Sequence, residues 1–378
     1  MISAAYKFIR FERAKSLGIL LAIIISIYLI GLELGIFFYL STLISGIVRN
    51  ANPDYAQVFV VNKRTNNANQ LAPFDVRWVN QLRSVQGVDG AYGIIMANVN
   101  VRFPNGDNSP AMIVGSDYPE MAAGPSARLL NTGTMQELAY PGTVSADFYD
   151  NRAFHYDVEK GTVFEINGKN ATVGVTTKNA KGFSAPLLYT TISKAHFFSD
   201  FPENSVNGVI VTVKNPLEID NVVSRINMMA PDLKAWRAET LSSATVINVM
   251  TANNMGMSFG TLVIFAIISG FFIIGLTMYS ATYDRIRDYG TLKAIGATNA
   301  YITRLVIVQS VLYSVVGFAV SMLMLVGTKF GMAKAGLIIR LTPLFLLFLF
   351  LVTLLIAVGS SFFSTSKLKK VEPSSVFR

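Results

Sequence analysis

Residues 16–45 read SLGILLAIIISIYLIGLELGIFFYLSTLIS, a run in which Glu33 is the only charged side chain. Three further apolar runs occupy residues 258–282, 301–328 and 341–363. A bilayer core about 30 Å thick is spanned by about 20 apolar residues in a helix, and each run reaches that length. The sequence therefore predicts four membrane-spanning helices with one long polar segment between the first two.

That polar segment, residues 46–239, has the pattern of a folded α+β domain. Residues 161–175 predict a β-hairpin, because Asn167-Gly168 supplies the positive φ values of a tight turn between β-branched stretches. We expect a β-rich subdomain inserted at about 105–200. From 240 the helical pattern is predicted to run unbroken to 282, forming a stalk and the second span.

The distribution of charge orients these elements. Residues 46–257 hold 17 basic and 18 acidic side chains, whereas the rest of the chain holds 15 basic and 5 acidic ones. Basic residues close to spans are retained on the cytoplasmic side. They cluster at three places, namely Lys7, Arg10, Arg13 and Lys15; Arg285, Arg287, Lys293 and Arg304; and Lys367, Lys369, Lys370 and Arg378. We therefore expect both termini in the cytoplasm.

The resulting prediction is an α-helical membrane protein with four transmembrane helices and a large α+β extracytoplasmic domain inserted between helices 1 and 2. The remaining segments are a cytoplasmic amphipathic helix at 1–15, with a frayed basic tail as the alternative, a cytoplasmic loop at 283–300, a short outer loop at 329–340 and a cytoplasmic tail at 364–378. A neutral outer domain disfavours nucleic acid as a partner.

Catalytic signatures are missing from the sequence. There is no cysteine, no phosphate-binding glycine loop and no H-E-x-x-H or G-x-S-x-G motif. His155 and His196 are expected in core or surface roles, and the acidic pairs Asp147/Asp150 and Asp157/Glu159 are expected to be solvated. We predict neither a metal site nor an enzymatic centre.

Glu33 stands out because a carboxyl within a membrane span is costly and is expected to face protein or a cavity. Gly31 and Gly35 flank it at a spacing that lets another segment approach closely. Two interpretations remain open: a contact to transported cargo or a switchable interhelix bond, or a protonated side chain in a structural hydrogen bond or near the outer interface.

The loop between the second and third runs mixes both charge signs with helix-forming residues and the glycines Gly290 and Gly296. A short helix with such a face is suited to docking on a soluble partner. A plain charged loop is the alternative.

The same loop carries a resemblance to a known family. The stretch Arg287-Asp-Tyr-Gly-Thr-Leu-Lys-Ala-Ile-Gly-Ala297, followed by Tyr301 and Gln309, resembles the signature of FtsX-like permeases of ABC transporters, with MacB/DevC and HrtB-type exporters as the most similar members. The stretch Lys369-Lys-Val-Glu-Pro-Ser-Ser-Val-Phe377 resembles the tail of that family.

The resemblance implies a homodimeric permease of the bacterial cytoplasmic membrane that works with two copies of a separate ATP-binding subunit, which would hold ATP and magnesium. The loop would be the coupling helix, with Asp284, Arg285, Arg287, Asp288, Tyr289, Lys293 and Gly296 as its contact residues. Tripartite relatives imply a periplasmic adaptor and an outer-membrane channel, and HrtB-type relatives imply haem as a cargo near Glu33. The alternative is a non-transporting mechanotransducer that regulates a cell-wall hydrolase.

Overall fold

The computed structural model describes residues 13–334, 337–339 and 341–365. Within these, the residues up to Tyr39 and from Met257 form one compact unit, and Leu40–Gly256 form another. The predicted amphipathic helix at 1–15 falls largely outside the described residues, as do Arg340 and the tail from 366 onward.

The first unit contains long apolar helices. They are α1 (Arg13–Ile44), α8 (Met255–Asp284), α10 (Asn299–Lys334) and α11 (Pro343–Thr365), with the short helix α9 (Ile286–Ala294) between α8 and α10. All four long helices contain a stretch apolar enough to cross a membrane, with mean hydropathy between 2.0 and 2.6. The prediction of four transmembrane helices is confirmed.

A stripe along α1 forms the centre of this bundle. Its buried members recur every three or four residues and so lie on one helix face; they are Ile19, Ile23, Ile27, Ile30 and Leu34. A Cβ added at Gly31 would lie 2.6 Å from Leu325 of α10 and 3.0 Å from Leu349 of α11. The close approach predicted from the glycine spacing is therefore present at Gly31.

The second unit is built on a ten-stranded sheet. The chain's strands are β1 (Val58–Asn62), β2 (Phe74–Asp75), β3 (Val88–Arg102), β4 (Asn108–Ser116), β5 (Leu130–Thr132), β6 (Thr143–Asp147), β7 (Val163–Ile166), β8 (Lys169–Thr177), β9 (Leu187–Thr191), β10 (Ser205–Val206), β11 (Gly208–Val213) and β12 (Leu233–Arg237). The short helices are α2 (Gly46–Asn50), α3 (Arg77–Arg83), α4 (Asn151–Phe154), α5 (Ile192–Ser199), α6 (Ile219–Met229) and α7 (Ala238–Ala252). The α+β fold class is confirmed.

Strand β3 joins the two halves of the sheet. On one side the order is β12-β1-β11-β3; on the other, β3 pairs with both β4 and β7, which lead to β9 and to β8 with β6. Strands β6 and β9 are linked where Ser145 Oγ accepts from Tyr189 N at 2.9 Å and Thr190 Oγ1 donates to Thr143 O at 2.9 Å. The strands of the 105–200 segment therefore continue the same sheet rather than forming a separate one.

The core lies on both faces of the sheet. Val58 and Val60 of β1 belong to one buried cluster, and Phe59 between them belongs to another. Successive side chains of a strand point to opposite faces, so a strand buried on both sides reads as a continuous apolar run. The predicted hairpin is present as β7 and β8, with positive φ at Asn167 and Gly168.

Two expectations about helix length are wrong. The unbroken helix expected from 240 to 282 is interrupted between α7 and α8, where Asn254 has a φ of +53°. Asparagine tolerates this left-handed conformation, which ends a right-handed helix. The outer loop expected at 329–340 is shorter, because α10 continues to Lys334.

Candidate functional site

The loop singled out by its mixed charges contains the helix α9. A Schellman motif ends it: Gly296 N donates to Lys293 O at 2.9 Å, and Ala297 N donates to Leu292 O at 2.9 Å. Gly296 has a φ of +104°, which a residue with a side chain rarely adopts. The expected cytoplasmic helix at 283–300 is thus a shorter helix, Ile286–Ala294, with a defined stop.

One face of α9 is anchored in the bundle. Tyr289 is 2% exposed and Arg285 is 5% exposed, and Gly290 beside them is also buried. Burial raises the pKa of Tyr289 to about 12, and hydrogen bonding of its hydroxyl with the Gln309 side chain of α10 works against this rise. This contact places α9 against α10.

The opposite face of α9 is open. Arg287 and Asp288 present both charge signs to the surroundings, and Ile295 adds an apolar side chain that is 79% exposed. Asp284 and Gly296 are exposed as well, and Lys293 is half-buried. The structure therefore divides the seven sequence-predicted residues: five are accessible to a partner, while Arg285 and Tyr289 hold the helix in place. Ile295 was not singled out from the sequence.

Glu33 lies within α1, next to the buried stripe. Its side chain is half-buried, and its Oε2 atom is buried without a hydrogen-bond partner among the described residues. A buried carboxyl oxygen without a hydrogen-bond donor from the protein is costly within a membrane span.

The acidic pair Asp147/Asp150 is buried, so the expectation that it is solvated is wrong. Asp147 ends β6 at 1% exposure and accepts hydrogen bonds from Tyr149 N, Thr177 Oγ1 and Ala180 N at 2.7–3.0 Å. Asp150 is 2% exposed and forms an ion pair with Lys181 at 3.2 Å. Tertiary packing, which a polar local sequence does not reveal, buries both carboxyls.

The remaining candidate residues occupy the places expected of them. Asp157 and Glu159 are exposed, His155 is exposed after α4, and His196 Nδ1 lies 2.9 Å from the Phe201 carbonyl oxygen. Among the described residues no group of three or more histidine, aspartate or glutamate side chains is placed to hold a metal ion.

An open cavity of about 570 Å³ lies in the second unit. Its lining includes Arg49, Arg128, Arg237 and Glu239, so basic side chains outnumber acidic ones. Arg237 is paired with Asp220 at 3.1 Å. The cavity is a solvent-facing cleft, unlike the enclosed apolar pockets that bury most of a small-molecule ligand.

Comparison with known proteins bears on the membrane unit most directly. Residues 260–373, which include α9 and the helices on either side of it, match the model of the FtsX-like permease C-terminal family. This part of the chain is similar to the C-terminal region of FtsX-like permeases. The resemblance read from the Arg287–Ala297 stretch is confirmed. The four helices that are long and apolar enough to span a membrane indicate a membrane protein.

Three solved structures are also similar. The periplasmic region of MacB from Actinobacillus actinomycetemcomitans has 12% identity and a TM-score of 0.38, and covers 52% of this chain and 94% of its own. The extracellular domain of the noncanonic ABC-type transporter YknZ from Gram-positive bacteria has 14% identity and a TM-score of 0.35, covering 48% and 99%. A domain of a putative permease from Porphyromonas gingivalis has 12% identity and a TM-score of 0.33, covering 49% and 90%. No curated protein matches the chain.

Proposed function

We propose that this FtsX-like chain is the permease subunit of an ATP-driven exporter that moves an amphiphilic or periplasmic substrate outward by MacB-like mechanotransmission. It would act as a homodimer with two copies of a separate ATPase, which bind ATP and magnesium. The anchored and exposed faces of α9 are the observation that carries this proposal.

A docking helix transmits force to the membrane helices only if the face opposite its partner is held against them. Tyr289 is buried and bonded to Gln309, which ties α9 to α10 as well as to the chain on either side of it. A push on the exposed face would therefore displace α8 and α10 together. The charged and apolar side chains on that face are the kind that mark a protein–protein contact, with Ile295 as its apolar anchor.

The direction of transport rests on the charge distribution. The basic residues at the two ends of α9 favour its cytoplasmic location, whereas the neutral charge balance of residues 46–257 permits translocation of the large domain. With that orientation the ATPase meets α9 inside and the α+β domain receives cargo outside. A periplasmic adaptor and an outer-membrane channel would complete the route in a cell with two membranes.

Substitutions on the exposed face test the docking directly. We expect Asp288→Lys and Ile295→Ser to lower co-purification of the ATPase subunit with the full-length chain, because each alters an exposed side chain and leaves the anchored residues Arg285 and Tyr289 unchanged. Asp54→Lys is the matched control, since Asp54 is an exposed acidic residue of the second unit. Normal co-purification of both α9 variants would contradict the assignment of this face.

ATP turnover of the reconstituted complex distinguishes export of a cargo from regulation of a cell-wall hydrolase. Haem, peptides and macrolide-like amphiphiles are the candidate cargoes, with Glu33 as the candidate contact for haem. Stimulation of turnover by one of them supports export. Activation of a cell-wall hydrolase without any cargo response would instead support the mechanotransducer.

A further inference from the structure

The segment that follows the first membrane helix is held by side chains that no part of the proposed function has yet used. Helix α1 ends at Ile44, and α2 (Gly46–Asn50) leads from it into the second unit. Asn50 is buried, and its Nδ2 donates to Lys181 O at 3.1 Å and to Tyr189 Oη at 3.2 Å. A Cβ built on Gly46 would overlap the same Lys181 carbonyl oxygen. Gly46 and Asn50, which lie one helical turn apart in α2, therefore both contact the Lys181 carbonyl oxygen in the loop 178–186.

The position of that loop is set from its other side by two carboxylates. Lys181 Nζ forms its ion pair with Asp150 Oδ1 and donates to Tyr149 O at 3.2 Å. Asp147 accepts from Ala180 N, the neighbour of Lys181. A chain of direct contacts therefore runs from Asp150 through Lys181 to Asn50.

The two carboxylates differ in how well they are satisfied. Asp147 accepts three hydrogen bonds, whereas Asp150 Oδ2 is buried without a partner among the described residues. The titratable or charged groups that face Asp150 are Asp147 at the end of β6, Lys181 on the loop and Tyr189 on β9. Protonation therefore removes a larger desolvation cost from Asp150 than from Asp147.

We propose that the Asp150–Lys181 pair is a proton-controlled latch that positions the Lys181 carbonyl, and that Asn50 is the residue through which this latch grips the chain leaving the first membrane helix. When Asp150 carries a proton its burial costs little, so the loop stays packed over it and Asn50 is engaged. When Asp150 is ionised, its buried Oδ2 lacks a hydrogen-bond donor, the carboxylate favours an arrangement that water reaches, and the hold on α2 loosens.

The pH range of this change follows from the environment of Asp150. Burial, with a smaller contribution from the negative charge of Asp147, raises the pKa of Asp150 from 3.8 to about 7, against the opposing effect of Lys181. A carboxyl with a raised folded-state pKa favours its protonated form in the fold. Its ionisation therefore lowers stability as pH rises from about 4 to about 7, and this is the direction in which the latch opens.

Hydrogen exchange of the full-length chain in detergent tests the latch without any assay of transport. We expect amides of residues 45–51 and 178–186 to exchange about tenfold faster at pH about 8 than at pH about 6 after correction for intrinsic rates, the factor that one pKa unit of coupling gives. In Asp150→Asn this pH dependence should vanish. Glu159→Gln, which changes an exposed carboxylate of the same domain, is the control and should behave like the unmodified chain.

Two results would overturn the latch: equal protection of both segments at the two pH values, or an unchanged pH profile in Asp150→Asn. A further variant, Asn50→Leu, removes both donated hydrogen bonds and should expose 45–51 at either pH, while Asn50→Gln restores part of the protection.

The coupling role of Asn50 rests on the proposed function and has its own readout. In the complex with its ATPase, Asn50→Leu should keep ATP turnover but lose export. Loss of protection with export intact would retain the latch and remove its coupling role, and failure of the ATPase to associate at all would count against the proposed function alone.

Discussion

Ile23 of α1 occupies the space that a side chain at position 317 of α10 would need: a Cβ added at Gly317 would lie 2.5 Å from Ile23 Cγ2. The two helices are further joined where Ser321 Oγ donates to Ile24 O at 2.9 Å and Tyr313 Oη donates to Ser16 Oγ at 2.8 Å. The first and third spans therefore pack closely against each other, and the absence of a side chain at Gly317 permits this approach.

Gly317→Ala tests this contact against Gly327→Ala, which lies on the same helix with nothing within 4 Å of its Cβ position. Both variants gain the same helix propensity, about 1 kcal/mol. Only Gly317→Ala forces Ile23 to move, which costs about 1–3 kcal/mol. Thermal unfolding in detergent should therefore give a lower midpoint for Gly317→Ala than for Gly327→Ala. Equal midpoints would show that the two helices are not in contact there.

The link between Tyr289 and Gln309 is open to a double-mutant cycle. Tyr289→Phe removes only the hydroxyl and should lower the unfolding free energy by about 1 kcal/mol, the net contribution of one hydrogen bond. In a Gln309→Leu background the loss should be smaller, because the partner is already gone.

The contribution of Tyr289 to the free energy of unfolding should not depend on pH near neutrality. Burial raises the pKa of Tyr289 to about 12, so its protonated form is favoured in the fold, and its contribution to stability is lost only as pH rises above about 10. The cycle should thus give the same coupling energy at pH about 6 and about 8. Strictly additive losses would contradict the contact.

Gly296 sets the end of α9, and we predict that this end contributes to docking of the ATPase. Gly296→Pro fixes φ near −65° in place of +104° and removes the N–H that donates to Lys293 O. We expect weaker ATPase association with normal membrane insertion, measured by co-purification and by the detergent-soluble yield. Gly260→Ala, a glycine of the same unit with open space around it, is the control. Unaltered association of Gly296→Pro would show that the helix end does not contribute to docking.

Glu33 is tested by two substitutions that separate cargo contact from structure. Glu33→Gln keeps the size and polarity of the side chain, and Glu33→Leu removes the unpaired buried oxygen. If the carboxylate contacts cargo, both variants should lose export while Glu33→Leu gains thermal stability, since an unsatisfied polar atom leaves the span. Export equal to that of the unmodified protein in both variants would assign Glu33 no transport role.

The membrane spans and the hairpin are predictable because their signals are local. An apolar run such as 16–45 contains its own evidence for a span, and Asn167-Gly168 specifies its turn through backbone conformation alone. The loop 283–300 was recognisable for a similar reason: its charges, glycines and motif lie within one short stretch. The structure adds which side of that stretch is anchored, because the rotation of α9 depends on its contact with Gln309.

The features that sequence reasoning missed depend on contacts between distant segments. Asp147 and Asp150 lie in a polar stretch, and only the approach of Thr177, Ala180 and Lys181 buries them. The break at Asn254 rests on one residue in a left-handed conformation within an otherwise helical pattern. The branching of the sheet at β3 follows from pairings between strands far apart in the chain, for which the sequence offers no register signal.

The central claim is that α9 and the α+β domain lie on opposite sides of the membrane, and labelling of single cysteines tests it most directly. The chain has no cysteine, so Glu159→Cys and Arg287→Cys each introduce a unique thiol. A membrane-impermeant maleimide added to intact cells should label Glu159→Cys at once and Arg287→Cys only after permeabilisation. Labelling of both before permeabilisation, or of Arg287→Cys alone, would contradict the account.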